Sequence, residues 1–151
     1  VQAYCPDMPE LVQTSLNLGI AKLGDRFTAT FSVRSSVNAE KEGLITKLKE
    51  LADFYNGTYS QSGTYPAWEF KKDSRLRDVM VPIYTRMFGK EPKVLAIHAG
   101  LECGLLGDKL PGLDCVSIGP QMHDIHTSRE KLEIASTKRT WDFLLEVLKA
   151  L

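Results

Sequence analysis

A strict period of two over residues 11–33 limits the fold of this chain more than any other feature. Val12, Thr14, Leu16, Leu18 and Ile20 alternate with Gln13, Ser15, Asn17 and Gly19. After Gly24-Asp25, Phe27, Ala29, Phe31 and Val33 alternate with Thr28, Thr30, Ser32 and Arg34. Alternation of this kind sends one set of side chains to each face of a strand. Pairing Val12 with Val33 and Leu16 with Ala29 predicts a short-looped antiparallel hairpin with one apolar face. Gln13, Ser15, Asn17, Thr28, Thr30, Ser32 and Arg34 then share the polar face.

A helix is expected next, to cover the apolar face. Asn38 suits its cap, Glu40 and Glu42 suit the positive end of its dipole, and Asn56-Gly57 ends it. Leu44, Leu48, Leu51, Ala52 and Tyr55 recur at helical spacing and are expected to face the hairpin. Residues 57–70 read as an extended segment broken at Tyr65-Pro66. Residues 1–70 therefore read as an antiparallel β-β-α-β layer.

The pattern changes after residue 70. Asp73-Ser74 suits the cap of a helix striped by Leu76, Met80, Ile83 and Met87, with a kink expected at Pro82 and an end at Gly89. Val94-Leu95-Ala96-Ile97 and Cys115-Val116-Ser117-Ile118 are unbroken apolar runs, as in strands buried on both faces of a parallel sheet. Residues 101–110 fit a short crossover helix between them, and Pro111-Gly112 a turn. A last helix is expected from Ser136 or Thr137, with Trp141, Leu144, Leu145 and Leu148 facing inward. The fold class is thus α/β: an antiparallel part, residues 1–70, followed by a small parallel-sheet α/β part, residues 71–151.

Composition excludes several function classes. Nineteen basic and 19 acidic residues among 151 give no net charge, so there is no basic surplus to displace counterions from a nucleic acid. No apolar run approaches the roughly 18 residues of a membrane span. With 43% apolar and 25% charged residues, the chain reads as globular rather than disordered. Cys5, Cys103 and Cys115 lack CxxC spacing and suit a reducing, cytoplasmic setting better than a disulfide framework. The first residue is valine, which suggests a piece of something longer.

In open α/β sheets ligands gather beyond the carboxyl ends of the strands. His98, His123 and His126, all the histidines of the chain, follow the two apolar runs. They read equally as surface residues or as a site, and they form no recognisable zinc ligand set with Glu102, Cys103, Cys115 and Asp124. Cys103 reads as a nucleophile beside a histidine or, more simply, as a small packed side chain. Arg34 is the one cation at the end of the hairpin's polar face: either a solvated arginine or a fork for a carboxylate. Tyr65-Pro66-Ala67-Trp68 reads as a binding edge or as core.

Ile97-His98-Ala99-Gly100-Leu101-Glu102-Cys103-Gly104, then Ser117-Ile118-Gly119-Pro120 and His126-Thr127-Ser128-Arg129-Glu130-Lys131-Leu132, resemble the C-terminal third of aminoacyl-histidine dipeptidases. These Xaa-His dipeptidases belong to the zinc aminoacylase and carboxypeptidase superfamily. Ser32-Val33-Arg34-Ser35 and Gly63-Thr64-Tyr65-Pro66-Ala67-Trp68 support the resemblance, which runs in order through essentially the whole chain. It implies a catalytic α/β domain holding two divalent metal ions, usually zinc, interrupted by a ferredoxin-like lid. Residues 1–70 would be the second part of the lid and residues 71–151 the C-terminal part of the catalytic domain.

The same resemblance implies roles. The family's last metal ligand, in a His-Ser/Thr-Pro-x-Glu segment, falls on His126, with Ser128 where proline is usual. A lid arginine like Arg34 holds the substrate carboxylate, and the loop carrying His98, Gly100 and Glu102 lies beside the substrate. No family role falls on His123. The family's other ligands and its Glu-Glu general base lie upstream of the lid and have no counterpart here. The resemblance therefore implies a dipeptidase fragment that is inactive without the missing N-terminal part, does not hold zinc tightly and is prone to self-association. Two alternatives stand beside it: a related acyl-amino acid hydrolase or carboxypeptidase, and a non-catalytic module that binds a small ligand.

Overall fold

The computed structural model describes residues 1–99 and 101–151, in two compact units: Val1–Phe70 with Leu95–Gly112, and Lys71–Val94 with Leu113–Leu151. Among the described residues the fold is mixed α/β, and both of its sheets are antiparallel.

In the first unit, β1 (Ala3–Cys5), β2 (Met8–Leu23) and β3 (Phe27–Ser35) form a sheet in that order. The expected hairpin is β2–β3, but its register differs. Leu16 pairs with Val33 and Leu18 with Phe31, whereas the other side of a bulge has Ala21 opposite Ala29 and Leu23 opposite Phe27. The slip from the expected pairing is an even number of residues, so Leu16 and Val33 keep their shared face. The bulge at Gly19 re-phases β2. Ile20, expected on the apolar face, pairs with Thr30 on the polar one, and Ala21 and Leu23 take over the apolar face.

Helix α1 (Asn38–Phe54) lies on the Thr14–Ser35 face. There Thr14 Oγ1 and Ser35 Oγ are 2.8 Å apart, and Glu40 accepts hydrogen bonds from Thr14 Oγ1 and from Gln13 Nε2. The buried stripe of α1 is Lys41, Leu44 and Ile45; Leu51 and Tyr55 are exposed, contrary to expectation. The hairpin tip is exposed as well, with Leu23 at 87% and Phe27 at 66%. Helix α1 meets both strands at the end of the hairpin away from its tip, near Thr14 and Ser35. The N-cap is Val37, while the Asn38 side chain bonds elsewhere. Asn56 takes a positive φ of 50° and Gly57 N donates to Ala52 O, ending the helix as expected.

Residues 57–70 form no strand; β1, from the start of the chain, is the third strand instead, so the layer is β-β-β-α. The runs 94–97 and 115–118 are not strands either, and Leu95 and Ile118 are exposed. An apolar run encodes burial, but a strand also needs a neighbour to complete its ladder. The short helix expected over 101–110 is present in this unit and spans Glu102–Lys109.

In the second unit, α2 (Arg75–Phe88) starts at the expected cap, where Ser74 Oγ accepts from Arg77 N at 3.1 Å. It continues through Pro82 and ends at Gly89, which has φ 68°. Following α3 (Glu102–Lys109) of the first unit, the strands β4 (Met122–His123) and β5 (Lys131–Leu132) pair as a small hairpin. Helix α4 (Ile134–Ala150) starts earlier than expected. Met80 and Ile83 of α2 pack with Phe143 and Val147 of α4 to make the core, flanked by Leu76, Tyr84, Met87 and Val116. Trp141, Leu145 and Leu148, expected inside, are exposed, and Leu144 is half-buried.

Candidate functional site

Strand alternation decides where Arg34 points. Val33 and Ser35 share the face that α1 covers, so Arg34, opposite Ser15, projects from the other face. Its charge acts on His98, which belongs to the same compact unit although it comes from the segment ahead of α3. His98 is half-buried, and burial is the main reason its imidazole titrates below the ordinary histidine value. The Arg34 guanidinium adds to the effect, because a nearby positive charge disfavours imidazolium. Near neutral pH this gives a fixed cation whose field reaches a neutral imidazole. A guanidinium can fork onto a carboxylate, and a neutral imidazole can offer a ring nitrogen to a polar group.

Glu102 opens α3 in the same unit and is exposed, its charge suiting the positive end of the helix. Gly100 lies outside the described residues. Cys103 is half-buried within α3, and no disulfide joins the three cysteines among the described residues.

His126 belongs to the second unit, in the turn between β4 and β5. It is exposed and has φ 65°, in the left-handed region that a non-glycine residue enters only at a cost. Side-chain bonds hold it there. His126 N donates to Glu130 Oε2 at 2.8 Å, and Thr127 Oγ1 donates to Asp124 O at 2.7 Å. The turn thus presents an imidazole to solvent with its backbone fixed. As a metal ligand it would be one donor. Among the described residues no three His, Cys, Asp or Glu side chains group to hold a metal ion, so these residues do not make a metal centre by themselves. His123, in β4 opposite Lys131, is exposed.

Two polar arrangements were not read from the sequence. Asp114 closes the N-terminus of α2, accepting from Leu76 N at 3.0 Å and from Ser74 Oγ at 2.8 Å. Lys41 and Asn38 of α1 fasten residues 65–67, with Lys41 Nζ donating to Tyr65 O and Ala67 N donating to Asn38 Oδ1 at 2.9 Å. Periodicity carries no signal for either. A buried lysine in an apolar helix stripe is the one sequence oddity.

Fold and sequence both resemble part of known peptidases. The chain is 34% identical over 140 residues to the cytosol non-specific dipeptidase of Escherichia coli K12, a match that takes in 92% of this chain and 29% of that protein. It superposes on the crystal structure of aminoacylhistidine dipeptidase from Vibrio alginolyticus with a TM-score of 0.87 and 30% identity, over 100% of this chain and 31% of that one. The chain is therefore similar to a part of these two dipeptidases, and it spans about a third of their length. The aminopeptidase PepT of Bacillus cereus shares the fold alone, at a TM-score of 0.68 and 18% identity, over 89% of this chain and 39% of its own. No protein-family model matches the chain.

Proposed function

We propose that this chain is the C-terminal portion of a cytoplasmic, metal-dependent dipeptidase that hydrolyses Xaa-His dipeptides with a metal-activated water. The observation that carries this reading is the likeness of 92% of the chain to part of a dipeptidase. The Arg34 guanidinium, on the sheet face away from α1, has the chemistry to take the terminal carboxylate of a dipeptide. Residues 1–70 act as the second part of a lid. Residues 71–151 complete the catalytic domain, the remainder of which is the chain's obligate partner.

In this reading Arg34 binds the substrate carboxylate, and His98, Gly100 and Glu102 line the substrate. His126 contributes one metal ligand. Zinc, as one of two divalent ions, would polarise the scissile carbonyl and activate water when bound. The remaining donors and the general base come from the rest of the enzyme, so this chain alone has no turnover and no tight metal.

Metal content and Xaa-His dipeptidase activity of the 151-residue chain after incubation with zinc test the reading. Neither bound metal nor hydrolysis is expected, and stoichiometric zinc with hydrolysis would overturn it. In the complete enzyme, Arg34→Ala removes a charge-assisted hydrogen bond of about 1.5–3 kcal/mol, raising KM roughly ten- to hundredfold. An unchanged KM removes Arg34 from the site.

A further inference from the structure

Helix α3 keeps a glycine at a position where space is lacking. A Cβ built on Gly104 would stand 2.9 Å from Pro66 O, 3.5 Å from Trp68 Cβ and 3.6 Å from Ala67 C. Real Cβ atoms do not come that close to a carbonyl oxygen, and the oxygen belongs to backbone, which cannot swing aside as a side chain does. Gly107, on the same helix, has nothing within 4 Å of its own missing Cβ. Helix propensity favours alanine over glycine at both positions, so only at Gly104 does a contact oppose that preference.

The surface against which Gly104 lies is itself held. Asn38 Oδ1 accepts from Ala67 N at 2.9 Å and from Lys41 Nζ at 3.0 Å, and Lys41 Nζ also donates to Tyr65 O at 2.5 Å. Lys41 is buried, with its ammonium 5.9 Å from the centre of the Tyr65 ring. Residues 65–68 thus form a backbone strap fixed to α1, and α1 is fixed to the sheet through Glu40, Thr14 and Ser35. His98 precedes α3 by a few residues, and Arg34 lies on β3, so the strap is a bridge from the sheet to the helix that carries the His98 segment.

We propose that Gly104 is a positioning residue: its close approach to the strap at Pro66, itself tied down by Asn38 and Lys41, seats α3 and with it the His98 segment ahead of the helix. Adding one methyl group at 104 pushes α3 off the strap and loosens the burial of His98. The functional meaning of this rests on the reading of Arg34 and His98 as substrate contacts. The positioning itself does not.

The test is a ligand-free NMR titration of the His98 imidazole in the whole chain, with His123 and His126 of the other unit as internal references. Gly104→Ala is expected to move the His98 midpoint up toward the ordinary histidine value, while Gly107→Ala leaves it in place. A purely structural role would lower the melting temperature without moving the midpoint. A folded Gly104→Ala with an unchanged His98 midpoint overturns the proposal. Should that variant fail to fold, Asn38→Ala, which loosens the strap from an exposed position, decides in the same way. Because no ligand is present, the result stands apart from the Arg34→Ala change in KM, which alone decides the substrate reading.

Discussion

His98 titrates under the charge of Arg34, although one precedes a helix and the other lies on the far strand of a hairpin. Burial is the larger cause of the lowered imidazole value and Arg34 the smaller. Arg34→Ala should therefore raise the His98 midpoint only part of the way to the ordinary value, as read by NMR titration. The sign for stability follows from linkage. The unfolded chain binds a proton on His98 more readily than the folded one, so stability is full above the unfolded value and declines as pH falls through the folded one. In Arg34→Ala that decline should begin less steeply. A His98 midpoint unmoved by the substitution would mean that the two side chains do not meet in solution.

The N-terminus of α2 should be the acid-sensitive point of the second unit. The Asp114 carboxyl titrates below its usual range, chiefly because Leu76 N–H bonds to it, helped by Ser74 and by the charges of Lys71 and Arg77. A depressed carboxyl stabilises the fold above its unfolded pKa of about 4 and loses that contribution as pH falls through the folded value. Ser74→Ala should cost about 1 kcal/mol, the usual worth of a capping hydroxyl, in urea unfolding near neutral pH. Asp114→Asn should cost stability near neutral pH and progressively less as pH falls through the folded value of the Asp114 carboxyl. A cost that does not change with pH would show that charge has no part in the cap.

His126 holds a left-handed backbone that glycine adopts without penalty. If the turn served only the fold, the imidazole would be a poor choice there. His126→Gly is expected to leave stability unchanged or raise it by up to about 1 kcal/mol, since strain is relieved and an exposed side chain is lost. On the proposed reading of His126 as a metal ligand, the same substitution in the full-length protein should lower metal content and activity together. Substantial destabilisation of the chain by His126→Gly would instead make the imidazole a structural group.

Much of this architecture is legible in the sequence, and the misses have physical causes. Ser74 and Gly89 mark the ends of α2 because capping chemistry is local. The hairpin partners are legible as faces but not as pairs, since alternation gives the face and the Gly19 bulge shifts everything beyond it. The runs at 94–97 and 115–118 look like buried strands, yet composition cannot supply the neighbouring strand that a ladder requires. At the site, Arg34 stands out as a lone cation on a polar face. Its action on His98 is tertiary and leaves no local trace, and the strap at Pro66 shows only as a glycine inside a helix.

Helix α4 carries two apolar stripes, and the structure covers one of them. Phe143 and Val147 are 5% and 3% exposed against α2, with the Phe143 ring edge-on to Tyr84 at 5.5 Å between centroids. Ile134, Trp141, Leu145 and Leu148 follow the helical repeat along another side, and Trp141 is 58% exposed. Helical periodicity marks both stripes equally, so only packing separates them. Phe143→Ala should cost about 3–5 kcal/mol, because it empties a packed core site. Trp141→Lys should change stability by no more than about 0.5 kcal/mol, as expected for a surface position. If Trp141→Lys instead destabilises the chain as much as Phe143→Ala, the tryptophan stripe is the packed one, and the orientation of α4 described above is wrong.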